Sequence, residues 1–424
     1  MGRLNRLTRL FHRLRRSFWV LPMLGCLTGC VLAILSSLAD RTDLLGDAFA
    51  IEAGAARDLM GVIAGATATM MSLTYTLTLL IFTLAAGQLG PRLLDSFYDN
   101  RVNQLTITVI STIFVFAMVG LYLVSDDHEA RASTVAAIAL AIAGVMTLIY
   151  FVHDVARRVL VDNEIALTAR RLRMALDGAF RPHGKDAQPT AILPERDEGA
   201  AGVVHATGTG YMRSIDLDEL VRDMAKHDAM VEIVAAPGEF VVERSPVALI
   251  HRAGTIEDWE KTVNGRLVLS RARSSEGDIL FSVNLLVEIA LRALSPGIND
   301  SFTAISAIDH LSGAFADLLH RQPASPLYLD EEGVARVTVN ALSAAYIVNT
   351  ALHPIRRNAA GNLLVSCAML DAIRRMIDVS DAEHVPMLRH HADLVGRAAL
   401  GPDALQEDRD HLAARLLTLM PDAA

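Results

Sequence analysis

Residues 59–91 read LMGVIAGATATMMSLTYTLTLLIFTLAAGQLGP, which is 33 residues without an Asp, Glu, Lys or Arg. Three further stretches lack these four residue types: 17–39, 102–125 and 132–153. A helix crosses a bilayer with about 20 apolar residues, whereas a helix at the surface of a soluble protein carries charge on its outer face. The sequence therefore predicts four transmembrane helices, over residues 18–39, 60–86, 104–124 and 133–152.

Arginines alternate between the two ends of these stretches. Six precede the first stretch, two lie between the second and third, and five follow the fourth up to Arg173. The other two connections hold only Arg41, Arg57 and Arg131, among acidic residues. Because basic residues stay on the cytoplasmic side, we expect a multi-pass protein with its N- and C-termini in the cytoplasm.

The net charge of −9 lies in the polar second part of the chain, since residues 1–155 balance 11 acidic against 11 basic side chains. An acidic domain argues against nucleic acid as a partner, while the arginine-rich start favours contact with anionic lipids of the bilayer. We predict five segments: a basic cytoplasmic N-terminus (1–17), a four-helix transmembrane domain (18–155), a helical extension (156–180), a small α+β or β-barrel-like domain (201–275) and a helical cytoplasmic domain (276–424).

The three cysteines, Cys26, Cys30 and Cys367, imply no disulfide framework. Leu27-Thr28-Gly29-Cys30 is similar to a bacterial lipobox, and cleavage there would leave a lipidated Cys30. The apolar run continues to Leu38, which is longer than the hydrophobic region of a signal peptide. We therefore favour small cysteines packed in a helix, and lipidation of Cys30 stays open.

The second stretch carries a stripe of small and hydroxyl side chains. At 100° per residue the stripe falls within about 100° of arc. Such a stripe favours close helix packing, as in Gly-x-x-x-Gly, or it lines a narrow aqueous path. No stretch has an ionisable residue at its centre, which argues against a proton pump or a voltage sensor. The stripe consists of Gly61, Gly65, Thr69, Ser72, Thr76, Thr83 and Gly87.

Two longer motifs, QLGPRLLDSFYDNRVNQ (88–104) and RALSPGINDSFTA (292–304), resemble those of the domain of unknown function 2254 family of bacterial membrane proteins. The resemblance extends from the first apolar stretch to about residue 375. It implies the family's fold and topology, but no activity. We expect a protein of the bacterial inner (plasma) membrane. The chain departs from the family pattern at Ser301, where we expect Pro, and at Arg244, where we expect Gly.

The second part of the chain combines strands and helices. Residues 203–215 and 230–235 are strand-like, and the hairpin PGEFVVERSPVA (237–248) looks like those of biotinyl or lipoyl barrels. No lysine lies at this hairpin, so we exclude a carrier function and expect a structural barrel-like part. Helical patterns follow, and we expect a helical layer packed on the barrel or on partner subunits. These patterns cover 278–294, 301–320, 341–357, 359–378, 382–399 and 403–419.

The turn between two of these helices has the most specific local sequence. Arg292, Ser295, Gly297, Asn299 and Asp300 lie within nine residues. Backbone N–H groups at the next helix start, with Arg292 nearby, would suit an anion, and Asn299 with Asp300 would suit a hard cation. Alternatively Asn299 and Asp300 cap the helix and Arg292 pairs with Asp300. The capping interpretation is preferred.

The histidines of the last helices do not form a metal-binding pattern. His384 and His391 share a helix face with seven-residue spacing, whereas His390 points elsewhere. Because no second group completes a tetrahedral set, we expect solvated histidines. No catalytic motif is present, so we expect neither an enzyme nor a cofactor.

These patterns predict a membrane α-helical fold with four transmembrane helices plus a cytoplasmic α+β domain. Four spans without charge are few for a transporter, and symmetric assembly would supply a pore. The functional hypothesis is a channel-like homo-oligomer, with a small ion or an anion as its partner and a cytoplasmic regulatory domain. A membrane-embedded sensor or scaffold without transport is the alternative.

Overall fold

A computed structural model describes most of the chain in two compact units, Met1–Asn163 and Glu164–Ala424. The described residues are 19–41, 52–88, 101–124, 130–158, 161–182, 202–252, 255–273, 278–323, 326–340 and 342–420.

The first unit contains four helices that are long and apolar enough to cross a membrane. They include the four predicted spans almost entirely and extend beyond most of their ends, because helical geometry continues past the uncharged run. They are α1 (Val20–Asp40), α2 (Ala53–Gln88), α3 (Arg101–Leu123) and α4 (Arg131–Arg158).

Helix α3 lies at the centre of this unit and contacts the other three helices. Of the most apolar 18-residue segment of each helix, 44% is buried in α3, against 17% in α1, 11% in α2 and 17% in α4. Phe116 and Ala117 of α3 pack with Ala33 of α1, Ile63 of α2 and Ala137 of α4 in one core. The other three helices therefore direct most of their apolar side chains outward.

The closest helix contact is made by two glycines of α1. The Thr112 hydroxyl of α3 donates to the Gly25 carbonyl at 3.0 Å. A Cβ atom added at Gly29 would lie 2.4 Å from the Thr112 carbonyl oxygen, so only glycine allows this approach. In contrast, Cβ atoms at Gly61 and Gly65 would meet no described atom within 4 Å. Within the chain, close packing thus belongs to Gly25-x-x-x-Gly29, not to Gly61-x-x-x-Gly65.

Two charged side chains join helix ends in the first unit. The Asp40 carboxylate at the end of α1 accepts from the N–H of Ala132 in the first turn of α4, at 2.6 Å. The Arg57 guanidinium of α2 donates to the Val124 carbonyl at the end of α3, at 3.0 Å. A negative charge at a helix N-terminus and a positive charge at a helix C-terminus both interact favourably with the helix dipole. Asp40 and Arg57, which lie between the first two uncharged stretches of the sequence, therefore cap the ends of neighbouring helices.

Helix α5 (Val161–Ala179) leads into the second unit, whose described residues include three sheets and two short helices, α6 (Leu217–Lys226) and α7 (Trp259–Asn264). The strands are β1 (Phe180–Pro182), β2 (Gly202–His205), β3 (Gly210–Ile215), β4 (Met230–Ile233), β5 (Phe240–Val241), β6 (Pro246–Arg252), β7 (Leu267–Ser270), β8 (Arg321–Pro323), β9 (Leu327–Leu329) and β10 (Ala335–Val339). Strands β1 and β8 pair alone, a five-stranded sheet has the order β2-β6-β4-β10-β9, and a three-stranded sheet has the order β5-β3-β7.

The expectation of a β-barrel-like part is wrong, since the described strands form no closed barrel. The two arms of the predicted hairpin, β5 and β6, belong to different sheets. Strand β4 pairs in parallel with β10, which comes from beyond residue 276. Val231 and Val337 of these two strands pack with Leu220 and Met224 of α6. A covering helix buries the apolar face of the sheet, so the sheet need not close on itself.

Six helices complete the described part of the second unit, each within a few residues of its predicted range. Side-chain caps begin four of them: Asp278, Asp300, Ser343 and Asn362 each accept from the backbone N–H three residues later. The helices are α8 (Ile279–Ala293), α9 (Ser301–Leu318), α10 (Ala344–Asn358), α11 (Leu363–Val379), α12 (Val385–Ala398) and α13 (Gln406–Leu419).

Candidate functional site

The stripe of α2 lies on the outer face of the first unit. Its buried face, opposite the stripe, carries Ala56, Met60, Ile63 and Thr67. Gly87 belongs to α2, but its surroundings are outside the described side chains. The other six stripe residues are all exposed: Gly61, Gly65, Thr69, Ser72, Thr76 and Thr83.

The threonine hydroxyls of this stripe donate their protons within their own helix. Each of three threonines donates to the carbonyl oxygen four residues earlier, at 2.8–3.0 Å: Thr69, Thr76 and Thr83. The hydroxyl oxygens keep lone pairs that accept from water or contact a cation. Leu79 lies in the same arc between Thr76 and Thr83 and is 65% exposed. The stripe thus presents weak acceptors outward, interrupted by one leucine.

The turn that joins α8 to α9 is held by its own backbone. The Ser295 hydroxyl donates to the Arg292 carbonyl at 2.7 Å, and the Asn299 N–H donates to the Ser295 carbonyl at 2.9 Å. Asn299 has a φ of +48°, a left-handed conformation that asparagine tolerates better than most residues. Gly297 is exposed in this turn. Residue choice here therefore follows the needs of a tight chain reversal.

Asp300 is the N-cap of α9. Its carboxylate accepts from the Thr303 hydroxyl at 2.6 Å and from the Thr303 N–H at 3.1 Å. These bonds lower the pKa of Asp300, the Thr303 hydroxyl contributing most. The Asn362 amide, which caps α11, donates to the Ser301 hydroxyl at 3.0 Å. The turn therefore holds the first residues of both α9 and α11 in place. The two hydrogen bonds to the Asp300 carboxylate come from Thr303 and not from Arg292.

Both departures from the family pattern fall at positions with special backbone requirements. Arg244 has a φ of +70°, which glycine adopts at lower cost. Ser301 is the first residue of α9, where proline is favoured because that N–H has no partner within the helix. The expected Gly and Pro at these positions therefore have direct structural reasons.

A buried arginine joins two carboxylates at one end of the five-stranded sheet. The Arg336 Nε donates to Asp330 at 2.7 Å and its Nη1 to Asp228 at 2.9 Å. Arg336 and Asp330 are both buried. Since every charge here has an opposite partner, this cluster is structural.

A cluster of histidines and arginines between α10 and α12 was missed by the sequence reasoning. His391 is 1% exposed, so the expectation of solvated histidines is wrong for this residue. Its Nε2 bonds the Asn349 Oδ1 at 2.6 Å, and its ring lies 4.7 Å from that of His353. Burial lowers the pKa of His391 to about 4, with His353, His390 and Arg356 adding to the effect. The i, i+4 spacing of Asn349 and His353 is the only sequence signal for this cluster.

Two further features of the described residues bear on ligands. No group of three His, Cys, Asp or Glu side chains there is placed to hold a metal ion. A cavity of about 240 Å³ in the second unit is lined mainly by apolar groups, including Phe180, Pro237 and Tyr328. The Asp278 carboxylate in the wall of this cavity already accepts hydrogen bonds from the Arg273 guanidinium and from the Phe281 N–H. Neither feature defines a reaction.

Four apolar helices of membrane-spanning length, followed by an α+β unit, define the class of this chain as a predicted membrane protein. The sequence profile of the family described as Predicted membrane protein (DUF2254) matches residues 15–375, and the chain belongs to this family. The resemblance inferred from the two motifs is thereby confirmed.

The relatives found match nearly the whole of this chain. Uncharacterized proteins of Mycobacterium tuberculosis strains CDC 1551 and H37Rv and of Mycobacterium bovis are each 26% identical over 420 residues. The matches cover 96% of this chain and 80% of each relative. No solved structure matches the chain.

Proposed function

We propose that the chain crosses a bacterial inner membrane four times with both termini in the cytoplasm, assembles with copies of itself, and acts as a channel-like protein with a cytoplasmic regulatory domain. The observation that carries this proposal is the outward position of the α2 stripe, whose six described side chains are exposed.

The outer surface of the first unit supports insertion in a bilayer. Large apolar side chains project from α1 and α4 with no cover from the described chain, among them Leu24, Leu27, Ile142, Met146 and Ile149. A soluble protein seldom exposes so large an apolar patch to water. In the hydrocarbon core of a bilayer the same surface is not exposed to water, so this free-energy penalty does not arise. The asymmetric arginines then orient the helices by the positive-inside rule.

Self-assembly follows from the mixed surface of α2. Gly61 and Gly65 would let another helix approach closely, because no described atom lies where their side chains would be. A ring of copies would bring Thr69, Thr76 and Thr83 around one axis. Leu79 would then form an apolar constriction of the kind that gates by dewetting.

A flux assay in proteoliposomes tests the proposal, with Thr76→Leu as the variant. Thr147→Leu in α4 is the matched control, because Thr147 is partly exposed and also donates to the carbonyl four residues earlier, at 2.7 Å. We expect ion flux that Thr76→Leu reduces by about tenfold or more and Thr147→Leu leaves unchanged. Flux absent from the unsubstituted protein at every voltage and lipid composition would contradict the proposal.

The alternative function is a membrane-embedded sensor or scaffold. It is favoured by the internal bonds of three threonine hydroxyls, Thr69, Thr76 and Thr83, whose protons are already donated within the helix. On this alternative the chain still assembles but carries no ion. Asn299→Ala would then change partner binding at the turn between α8 and α9, measured by co-purification.

A further inference from the structure

The basic cluster lies where α10 and α12 contact each other within the second unit. Helix α10 contributes three residues at i, i+3 and i+4 spacing, and these therefore share a face of that helix. Helix α12 contributes two adjacent histidines. The members of the basic cluster are His353, Arg356, Arg357, His390 and His391.

The imidazoles of this cluster are close together. The ring of His391 lies 4.7 Å from that of His353 and 6.2 Å from that of His390. His391 is buried and His390 is exposed, while His353 is half-buried. The cluster therefore runs from the helix contact to the surface, where an ion in solution can reach it.

The basic neighbours of the cluster disfavour protonation of its inner histidines. Burial lowers the pKa of His353, and Arg356, Arg357 and His390 lower it further. The charged groups that lower these two pKa values are all basic side chains. The neighbouring carboxylate on α12, Asp393, is taken by Arg397 at 2.9 Å.

Two buried nitrogens of the cluster also lack hydrogen bonds among the described residues. They are the Nε of Arg356 and the Nδ1 of His391. Buried polar groups are nearly always bonded, so such exceptions call for a cause. Unopposed charge and an unused guanidinium donor in one place are both relieved by a bound anion.

We propose that the basic cluster binds a phosphate group. The guanidinium forks of Arg356 and Arg357 and the imidazoles of His353 and His390 offer donors from two helices in several directions, which suits a tetrahedral oxyanion with several acceptor oxygens. Two guanidiniums exclude a metal cation. The phosphate belongs either to a dissolved phosphate compound or to an anionic lipid headgroup, and these sources share the same chemistry.

Calorimetric titration of the full chain tests the first source. The protein is held in nanodiscs of zwitterionic lipid at pH 7 and titrated with inorganic phosphate. We expect saturable binding that weakens at least about tenfold in Arg356→Gln and in Arg357→Gln. Arg374→Gln is the control, because it removes an exposed charge from α11 outside the cluster, and it should keep the affinity within about twofold. Arg357 is exposed, so its substitution leaves the fold intact.

Native mass spectrometry of the full chain tests the second source. Phosphatidylglycerol that remains bound to the unsubstituted protein and is lost from Arg357→Gln would identify a lipid headgroup as the ligand. Absence of both inorganic phosphate binding and retained phosphatidylglycerol would overturn the proposal. Equal binding of either one by Arg357→Gln and the unsubstituted protein would overturn it as well.

Discussion

Replacement of Gly29 by alanine tests the packing of the first unit most sharply. The new Cβ would lie 2.4 Å from the Thr112 carbonyl oxygen and 3.1 Å from the Phe116 nitrogen. Both contacts are backbone atoms of α3, so no side chain can rotate away. Helix α1 must therefore move outward by about 1 Å to restore an ordinary contact distance.

The cost of this movement follows from the contacts that it loosens. Overpacking a close contact costs about 1–3 kcal/mol, and the higher helix propensity of alanine returns up to about 1 kcal/mol. We therefore expect Gly29→Ala to lower the free energy of unfolding by about 1–2 kcal/mol. Gly54→Ala in α2 is the matched control, since its Cβ would meet no described atom within 4 Å and Gly54 is not part of the α2 stripe.

Thermal and detergent-induced unfolding of the purified variants measures this difference. Gly54→Ala should unfold at or above the transition of the unsubstituted chain, and Gly29→Ala clearly below it. Equal transitions for the two variants would refute the assignment of α1 and α3 as the close helix pair.

Three further predictions concern the second unit, each followed by chemical denaturation. Arg336→Ala leaves Asp330 buried without its partner and should cost about 3 kcal/mol; unchanged stability would contradict this. Arg244→Gly relieves a φ of +70° and should stabilise by about 0.5–1 kcal/mol, whereas Arg222→Gly within α6 should cost about 1 kcal/mol. His391 has a pKa of about 4 when folded and 6.5 as the ordinary value, so between these pH values the unfolded chain binds the proton and the folded chain does not. The free energy of unfolding should therefore fall as the pH drops from 6.5 to 4, by about 2 kcal/mol at pH 5, and His391→Gln should remove this slope; an unchanged slope would count against the buried neutral imidazole.

Local features of the sequence were sufficient to locate the helices. Long uncharged runs marked α1 to α4, because a helix without charge on any face is recognisable from composition alone. In the second unit, Asp278, Asp300 and Asn362 stand just before apolar periodic segments, as N-caps do. The predicted helix ranges there lie within a few residues of the structure.

Contacts between distant residues were not predictable in this way. The parallel pairing of β4 with β10 joins strands about a hundred residues apart, and no local signal in β4 indicates which partner it will find. The pairing of Gly29 with Thr112 depends on helix orientation, which residue type does not reveal. The basic cluster likewise exists only because α10 and α12 lie side by side.

Oligomeric mass, determined together with electron microscopy classes from the same purified sample, tests most directly whether α2 mediates self-assembly. We predict a symmetric assembly with α2 around its axis, so that Thr76 of each copy faces the centre. A monomer, or a dimer without a central path, would contradict the channel-like function and would direct attention to ligands of the second unit.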